Sequence, residues 1–440
     1  MFTTRRSFLK TTTAAASIAG LTAIPAVHAA GDNTIKLGLV GCGGRGTGAV
    51  RNALEADPNT KVAAVCDAFP EKAQSAVDNL RKEERWKDRI LATHETAFSG
   101  LESYKQVIDL CDVVLLCEVP HFRPLSLRYA VEKGKHVFCE KPVAVDGAGI
   151  KSVLESAKIA KEKKLNIVAG LCWRYDHNIR AMMNWIADGA IGDVLSTRVS
   201  YMTGRLWDRP RQANDTEMMY QVRNWYNFTW LSGDFNVEQA IHSVDKLLWS
   251  FGDEEPVSAF GSGGRMVRTE YPKAGDIYDS IDTVYDFGGG RTGYLFCRQI
   301  NKCYSEVTDH IIGTKGYATT KSGGFGGCTI NVKGSEPVNI KLPGNMYVIE
   351  HQYLLRAVRG NIPYRNDGVW AANSTMAGIM GRQVARTGKQ LTRQQALDLE
   401  EPMSPSGYTW DATPPTMPDE QGRYKVEIPG SGYLYHEVKR

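Results

Sequence analysis

Residues 35–41, Ile-Lys-Leu-Gly-Leu-Val-Gly, run directly into Gly41-Cys42-Gly43-Gly44-Arg45-Gly46. No other stretch restricts the fold as much. A buried apolar strand, a G-x-G-x-x-G turn and a helix expected from about Thr47 to Glu55 form the opening of a βαβ unit. The first glycine permits the tight turn. The second lets the backbone approach a pyrophosphate, and the third lets helix and strand pack closely. The helix start then presents free N–H groups and a positive dipole end to the phosphates. Asp67 closes the next expected strand, Lys61–Cys66, about twenty residues on, where a carboxylate binds ribose hydroxyls. Gly41, Gly43, Gly44, Arg45, Gly46 and Asp67 are therefore candidate dinucleotide contacts. An acid at that strand end disfavours a 2′-phosphate, so NAD is expected over NADP.

The chain keeps the same rhythm as far as Gly170. Helical stretches are expected over 70–85, 123–133 and 147–163, with apolar strands at 111–117, 136–139 and 166–170. Strands alternating with helices predict a parallel, doubly wound sheet. After Leu171 the pattern changes to alternating stretches such as 194–201 and 292–300, with glycine turns at 288–290 and 323–327. These predict a large, mainly antiparallel open sheet, with helices near 179–188, 238–250, 345–359 and 371–387. A chain of 440 residues exceeds one ordinary core. The expected class is α/β: a Rossmann domain over 33–171, an α/β substrate and oligomerisation domain over 172–400, and a tail over 401–440.

The first thirty residues read differently. Thr4-Arg5-Arg6-Ser7-Phe8-Leu9-Lys10, a short mildly apolar run and Ala26-Val27-His28-Ala29-Ala30 predict a twin-arginine export signal. The mature chain is then expected to start near Ala30 or Gly31, to meet the export machinery already folded, and to work in the periplasm. No segment beyond the signal has the length of a membrane span. A periplasm offers no ready nicotinamide pool, so the cofactor should be held tightly. Net charge is only +4, without a long basic run, which argues against nucleic acid as a partner. The nine cysteines include no Cys-x-x-Cys pair. They read as buried thiols rather than a disulfide frame or a zinc site, and no metal is expected.

Two further elements carry chemistry. Glu140-Lys141-Pro142 follows the 136–139 strand, and ligands of open α/β sheets sit beyond the carboxyl ends of strands. A lysine there can hydrogen-bond a substrate hydroxyl and favour its deprotonation. In Glu238-Gln239-Ala240-Ile241-His242-Ser243-Val244-Asp245, a helix would place Glu238 and His242 on one face. A neutral imidazole can take a hydroxyl proton while the carboxylate orients it. From spacing alone, a purely structural His–acid pair fits equally well. Arg174, Tyr175, Arg223, Trp225, Tyr226, Asp245 and Arg298 are candidate substrate contacts. For each taken singly, ordinary packing serves as an explanation too. Pro120, His121 and Arg123, beyond the 113–117 strand, are placed to border a nicotinamide.

In this order, Gly41–Gly46, Asp67, Glu140-Lys141-Pro142, Trp173-Arg174-Tyr175-Asp176 and Glu238–Trp249 resemble the glucose-fructose oxidoreductase / inositol dehydrogenase / rhizopine catabolism (Gfo/Idh/MocA) family. Glu-Lys-Pro after Gly134-Lys135-His136-Val137 is the most specific part. The resemblance implies a dinucleotide domain joined to an open sheet, homo-oligomers built on that sheet, and action on hydroxyls of sugars and cyclitols. It also implies that Lys141 and His242 are the catalytic pair. The family often carries aspartate four residues before that histidine, where this chain has Glu238. Exported members with Ser232-Gly233-Asp234 ahead of Glu-Gln-x-x-His are the most similar. The expected chemistry is hydride transfer between NAD and a hydroxyl carbon. Alternatives are NAD-dependent glycoside cleavage by transient oxidation and elimination, and a non-catalytic sugar-binding protein.

Overall fold

The computed structural model describes residues 33–270 and 272–430, so the expected export signal lies outside the described residues. Six strands form a parallel sheet: β1 (Ile35–Val40), β2 (Thr60–Asp67), β3 (Ala97–Ser99), β4 (Val113–Leu116), β5 (His136–Cys139) and β6 (Ile167–Ala169). Their order is β3-β2-β1-β4-β5-β6. The winding reverses between β1 and β4, and a crevice opens there beyond the strands' carboxyl ends. Helices cover both faces, so Leu37, Leu39 and all of β4 are fully buried. Gly38 is needed within β1, because a Cβ there would lie 2.7 Å from Val107 and 2.8 Å from the Cys111 Sγ. That space lets the Tyr104–Asp109 helix pack against the sheet. Neither this helix nor β3 is legible in the sequence, since each is too short to show a period.

The second sheet has nine strands: β7 (Val194–Thr203), β8 (Ser258–Gly264), β9 (Ser280–Asp286), β10 (Thr292–Gln299), β11 (Glu306–Gly313), β12 (Gly316–Thr320), β13 (Cys328–Val332), β14 (Val338–Ile340) and β15 (Leu391–Thr392). The order is β14-β13-β12-β11-β7-β10-β9-β8-β15. Only β7 and β10 pair in parallel, so the sheet is mainly antiparallel, as the alternating pattern predicts. Its inner face packs against the helices Ile241–Ser250 and Gly368–Thr387. A Cβ on Gly293 of β10 would come within 2.8 Å of Leu247, so glycine admits the first of these helices. The outer face leaves Phe260, Phe296, Ile312 and Tyr317 exposed.

Residues 401–430 are irregular but tied down. Arg382 donates to Glu401 at 2.6 Å, and Arg386 pairs with Glu427. These arginines are one turn apart on the Gly368–Thr387 helix, so both ends of the segment are stapled to one spot. Between them Trp410 stacks on Phe69 (5.3 Å, 24°), and Tyr408 packs edge-on against Phe122 at 5.7 Å. Both phenylalanines belong to loops at the carboxyl edge of the parallel sheet. Among the described residues, no helix is long and apolar enough to cross a membrane.

Candidate active site

A cavity of about 550 Å³ lies over the carboxyl edge of the parallel sheet. The glycine turn forms one end of its floor. Gly41 has φ +91°, and a Cβ on it would sit 2.6 Å from the Cys117–Glu118 backbone. A Cβ on Gly46 would lie 1.9 Å from the Gly41 carbonyl oxygen. Gly43 and Gly44, by contrast, have nothing within 4 Å on that side. The helix starting at Gly44 has no side-chain cap. An open backbone face at an uncapped helix N-terminus suits a pyrophosphate. The Asp67 carboxylate accepts from Cys42 N at 2.8 Å and Phe69 N at 3.1 Å, and it lines the cavity. Burial raises its pKa, with Lys72 pulling the other way. The residues present therefore fit a dinucleotide.

The Arg45 side chain does something the motif does not announce. It reaches back to Glu140 of the Glu-Lys-Pro triplet and donates at 2.7 Å to Glu350, on the Met346–Val358 helix. Both carboxylates are buried. Burial pushes Glu350 well above the usual carboxylate range, and Arg45 opposes that shift. Glu140 also accepts from Lys141 N at 3.0 Å. One guanidinium thus clips the phosphate turn to the lysine-bearing strand end. Arg123 ties the exits of β4 and β5 in the same manner, donating to Glu118 O at 2.5 Å and Pro142 O at 2.6 Å. The Lys141–Pro142 peptide is cis.

At the other end, Lys141, Glu238, Gln239 and His242 line the same cavity. The Lys141 ammonium donates to Glu238 Oε1 at 2.8 Å and to the Glu238 carbonyl at 2.5 Å. Glu238 Oε2 accepts from Gln239 Nε2 at 2.7 Å, and Gln239 Oε1 accepts from the Tyr201 hydroxyl at 2.9 Å. The expected partnership of Glu238 with His242 is thereby corrected. One helix ends at Glu238 and the next begins at Ile241, so the four-residue register is broken. The longer acid turns to the lysine instead. His242 has a buried Nδ1 without a partner among the described residues. Burial, reinforced by the Lys141 charge, holds its pKa well below the ordinary histidine value. The imidazole is neutral at neutral pH and able to accept a proton.

The break falls at Gln239–Ala240, where the Glu238 carbonyl turns to Lys141 and His242 N donates to Gln239 O at 3.5 Å. A separate backbone turn precedes the Phe235–Glu238 helix. Gly233 and Asp234 both have positive φ, +82° and +77°. Asp234 is held there by Arg386 at 2.5 Å, by the Phe235 N–H at 2.8 Å and by the Tyr278 N–H at 3.2 Å. Such a conformation in a non-glycine residue persists only when its surroundings over-determine it.

Several other candidates lie elsewhere. Arg174 is buried between Trp249 and Trp370, 4.5 Å from each ring, and grips Asp245 and Asp253. Asp245 also accepts from Ser374. A buried charge needs such a partner, and neither residue of this pair reaches the cavity. The Tyr175 hydroxyl bonds Asp367, and that of buried Tyr226 accepts from Gln299 at 2.7 Å. Arg298 donates to Tyr304 O at 2.5 Å. Pro120 and His121 stand behind the cavity wall. His121 bonds the Tyr408 hydroxyl at 3.1 Å and packs on Trp230, and burial pushes its pKa down to about 4. Val119, Phe122 and Arg123 face the cavity in their place. Arg223 lines the cavity, but its guanidinium is held by Asp215 at 3.1 Å and rests 4.1 Å from the Phe69 centroid. Trp225 lines it as well. Tyr347, Trp207 and Arg209 also line it and carry no signal in the sequence.

A glycine turn for a dinucleotide and a lysine–histidine corner, sharing one cavity, define an NAD(P)-type oxidoreductase. Family models agree. One described as "Oxidoreductase family, NAD-binding Rossmann fold" matches residues 35–168, and the "GFO/IDH/MocA C-terminal domain" matches 179–319. The chain belongs to the Gfo/Idh/MocA family of oxidoreductases. It is 25% identical over 262 residues to inositol 2-dehydrogenase of Rhizobium meliloti (strain 1021), covering 60% of this chain and 68% of the relative. It is 24% identical over 261 residues to myo-inositol 2-dehydrogenase of Thermotoga maritima, covering 59% and 67%. Among solved structures, aldose-aldose oxidoreductase from Caulobacter crescentus superposes with a TM-score of 0.63 at 18% identity, over 82% of this chain and 99% of that one. Scyllo-inositol dehydrogenase from Lactobacillus casei gives 0.59 at 17%, over 82% and 99%. At these identities the structural likeness speaks for the fold alone.

Proposed function

We propose that the protein moves hydride between a retained NAD and a hydroxyl-bearing carbon of a sugar, cyclitol or glycoside. The observation that carries this reading is the shared cavity, with the open glycine turn at one end and Lys141 and neutral His242 at the other. Bound nicotinamide supplies the hydride acceptor. Lys141 donates a hydrogen bond to the substrate oxygen and favours its anionic form as the C–H bond breaks. Glu238, braced by Gln239, holds that ammonium in place. His242 takes the hydroxyl proton through Nε2, because Nδ1 is shut off from the cavity. NAD is favoured over NADP by Asp67, whose carboxylate repels a 2′-phosphate.

Retention is supported by the 401–430 segment. Its stapled ends and its contacts on Phe69 and Phe122 brace both loops that flank the dinucleotide turn. A cofactor that does not leave must be reset in place. A second sugar can do this, or the same substrate can after transient oxidation, which makes redox-assisted glycoside cleavage the second reading. Export by the twin-arginine route, proposed from Arg5 and Arg6, accords with retention. The exposed outer sheet face, with Phe260 and Phe296, fits a homo-oligomer.

Product analysis on a panel of sugars and glycosides tests the reading. An accumulating keto-sugar with reduced nicotinamide supports oxidoreduction. Free sugar from a glycoside without net nicotinamide change supports cleavage. No product of either kind, from protein lacking nucleotide, would leave a sugar-binding protein.

A further inference from the structure

Trp207, Arg209 and Trp225 line the same cavity, and the hydride chemistry above uses none of them. Residues 204–210 have no regular secondary structure, yet their backbone is fixed. Asn224 Oδ1 accepts from Arg209 N at 2.8 Å, and Asn227 Nδ2 donates to Trp207 O at 3.4 Å. The two asparagines are fully buried and joined to each other at 2.9 Å. Buried amides with satisfied bonds hold one geometry. Trp207 and Arg209 both face the cavity, while Asp208 between them is turned to Arg205 at 3.1 Å.

Trp207 is 37% exposed. It is propped at 5.7 Å by Trp225, edge to face, and at 5.8 Å by buried Tyr226. The Arg209 guanidinium lies 5.1 Å from the Trp207 centroid. Its neighbours Arg205, Arg211 and Arg223 each hold a carboxylate. Arg209 has no such partner among the described residues. A flat apolar ring beside an unspent planar cation fits a ligand with an apolar ring face and an anionic edge. A pyranose bearing a carboxylate has both.

We propose that Trp207, Trp225 and Arg209 form a second sugar subsite, which takes a uronic-acid unit next to the sugar that reacts at Lys141 and His242. The inference rests on the hydride reading for the identity of the first unit. It narrows the substrate to an acidic disaccharide or glycoside, rather than a free cyclitol.

Calorimetry on the holoprotein tests it. The probes are disaccharides carrying a glucuronosyl unit, each matched to its neutral glucosyl counterpart. The wild type is expected to bind at least one acidic member about tenfold or more tighter than its match, the scale of a charge-assisted hydrogen bond. Arg209→Gln should erase that preference, and Trp207→Ala should weaken both members of the pair. No acid preference in any pair, or a preference that survives Arg209→Gln, overturns the subsite. So does an Arg209→Gln protein whose altered property is its affinity for NADP or NAD, since the guanidinium then serves a cofactor phosphate. Lys141→Met keeps the two readings apart. An Arg209-dependent acid preference that survives in Lys141→Met, with no nicotinamide reduction by any sugar in the wild type, leaves the subsite standing and removes the hydride reading.

Discussion

The phosphate turn and the reacting corner occupy one cavity but are built by opposite rules. The turn is local. Six consecutive residues, 41–46, set its shape, and its constraints are steric: Gly41 and Gly46 have no room for a Cβ, while Gly43 and Gly44 face open space. The corner is assembled from a distance. Lys141 comes from the end of β5, Glu238 and His242 from either side of a helix break, and Tyr201 from β7. Charge satisfaction holds it rather than backbone shape. Arg45 belongs to both regions, since it starts the helix of the turn and neutralises Glu140 beside Lys141. A motif can be locally complete and still depend on a partner about three hundred residues away, here Glu350.

The contrast can be broken most sharply at Lys141. Lys141→Met should lower kcat/KM by roughly a hundred- to ten-thousandfold, the usual reach of acid–base assistance, while nucleotide content stays as in the wild type. Steady-state kinetics with nucleotide assay on the same sample checks both. Joint loss of nucleotide and activity would mean that the two regions are one. Arg45→Ala comes next. It leaves Glu140 and Glu350 buried without their cation and should cost about 3 kcal/mol in denaturant unfolding. Adding Glu350→Gln should recover part of that loss, and an unchanged midpoint in the single variant would contradict the clip. Within the turn, Gly46→Ala should destabilise the fold by about 2 kcal/mol. Gly43→Ala should melt normally and lose mainly dinucleotide affinity, as thermal melts with and without NAD would show. Equal effects would deny the division between steric and ligand-facing glycines.

The smallest effect is on pH. Burial and Lys141 depress the His242 pKa, so the base stays neutral and active to lower pH. The acid limb of kcat/KM should fall below about 6.5, the value of an ordinary histidine. Lys141→Met removes a neighbouring positive charge, favours the imidazolium and should move the residual activity's limb upward. A limb that moved down, or stayed put, would place another group in control.

Much of the cofactor half is legible in the sequence because its determinants are contiguous. The strand, the glycine spacing and Asp67 are read along one stretch of chain. Of the reacting corner, the residue types at 141, 238 and 242 are legible, but their pairing is not. Helical spacing joins Glu238 to His242, but the helix is interrupted at Gln239–Ala240, where the Glu238 carbonyl and carboxylate both turn to the distant Lys141. Arg174, Tyr175 and Asp245 look like ligand groups from composition, yet they satisfy one another or Asp367 in the interior. Trp207 and Arg209 lie in a stretch with no period at all. Two buried asparagines further along the chain fix the backbone at Trp207 and Arg209.

The most direct test follows the nicotinamide itself. Untreated protein is examined by native mass spectrometry and then mixed with sugars while the reduced-nicotinamide absorbance is followed, in the wild type and in Lys141→Met. The expected result is one NAD per chain in both proteins, with a rise in absorbance confined to the wild type. Protein that carries no nucleotide and binds none when NAD is added, or a Lys141→Met variant reduced as fast as the wild type, would contradict hydride transfer at this corner.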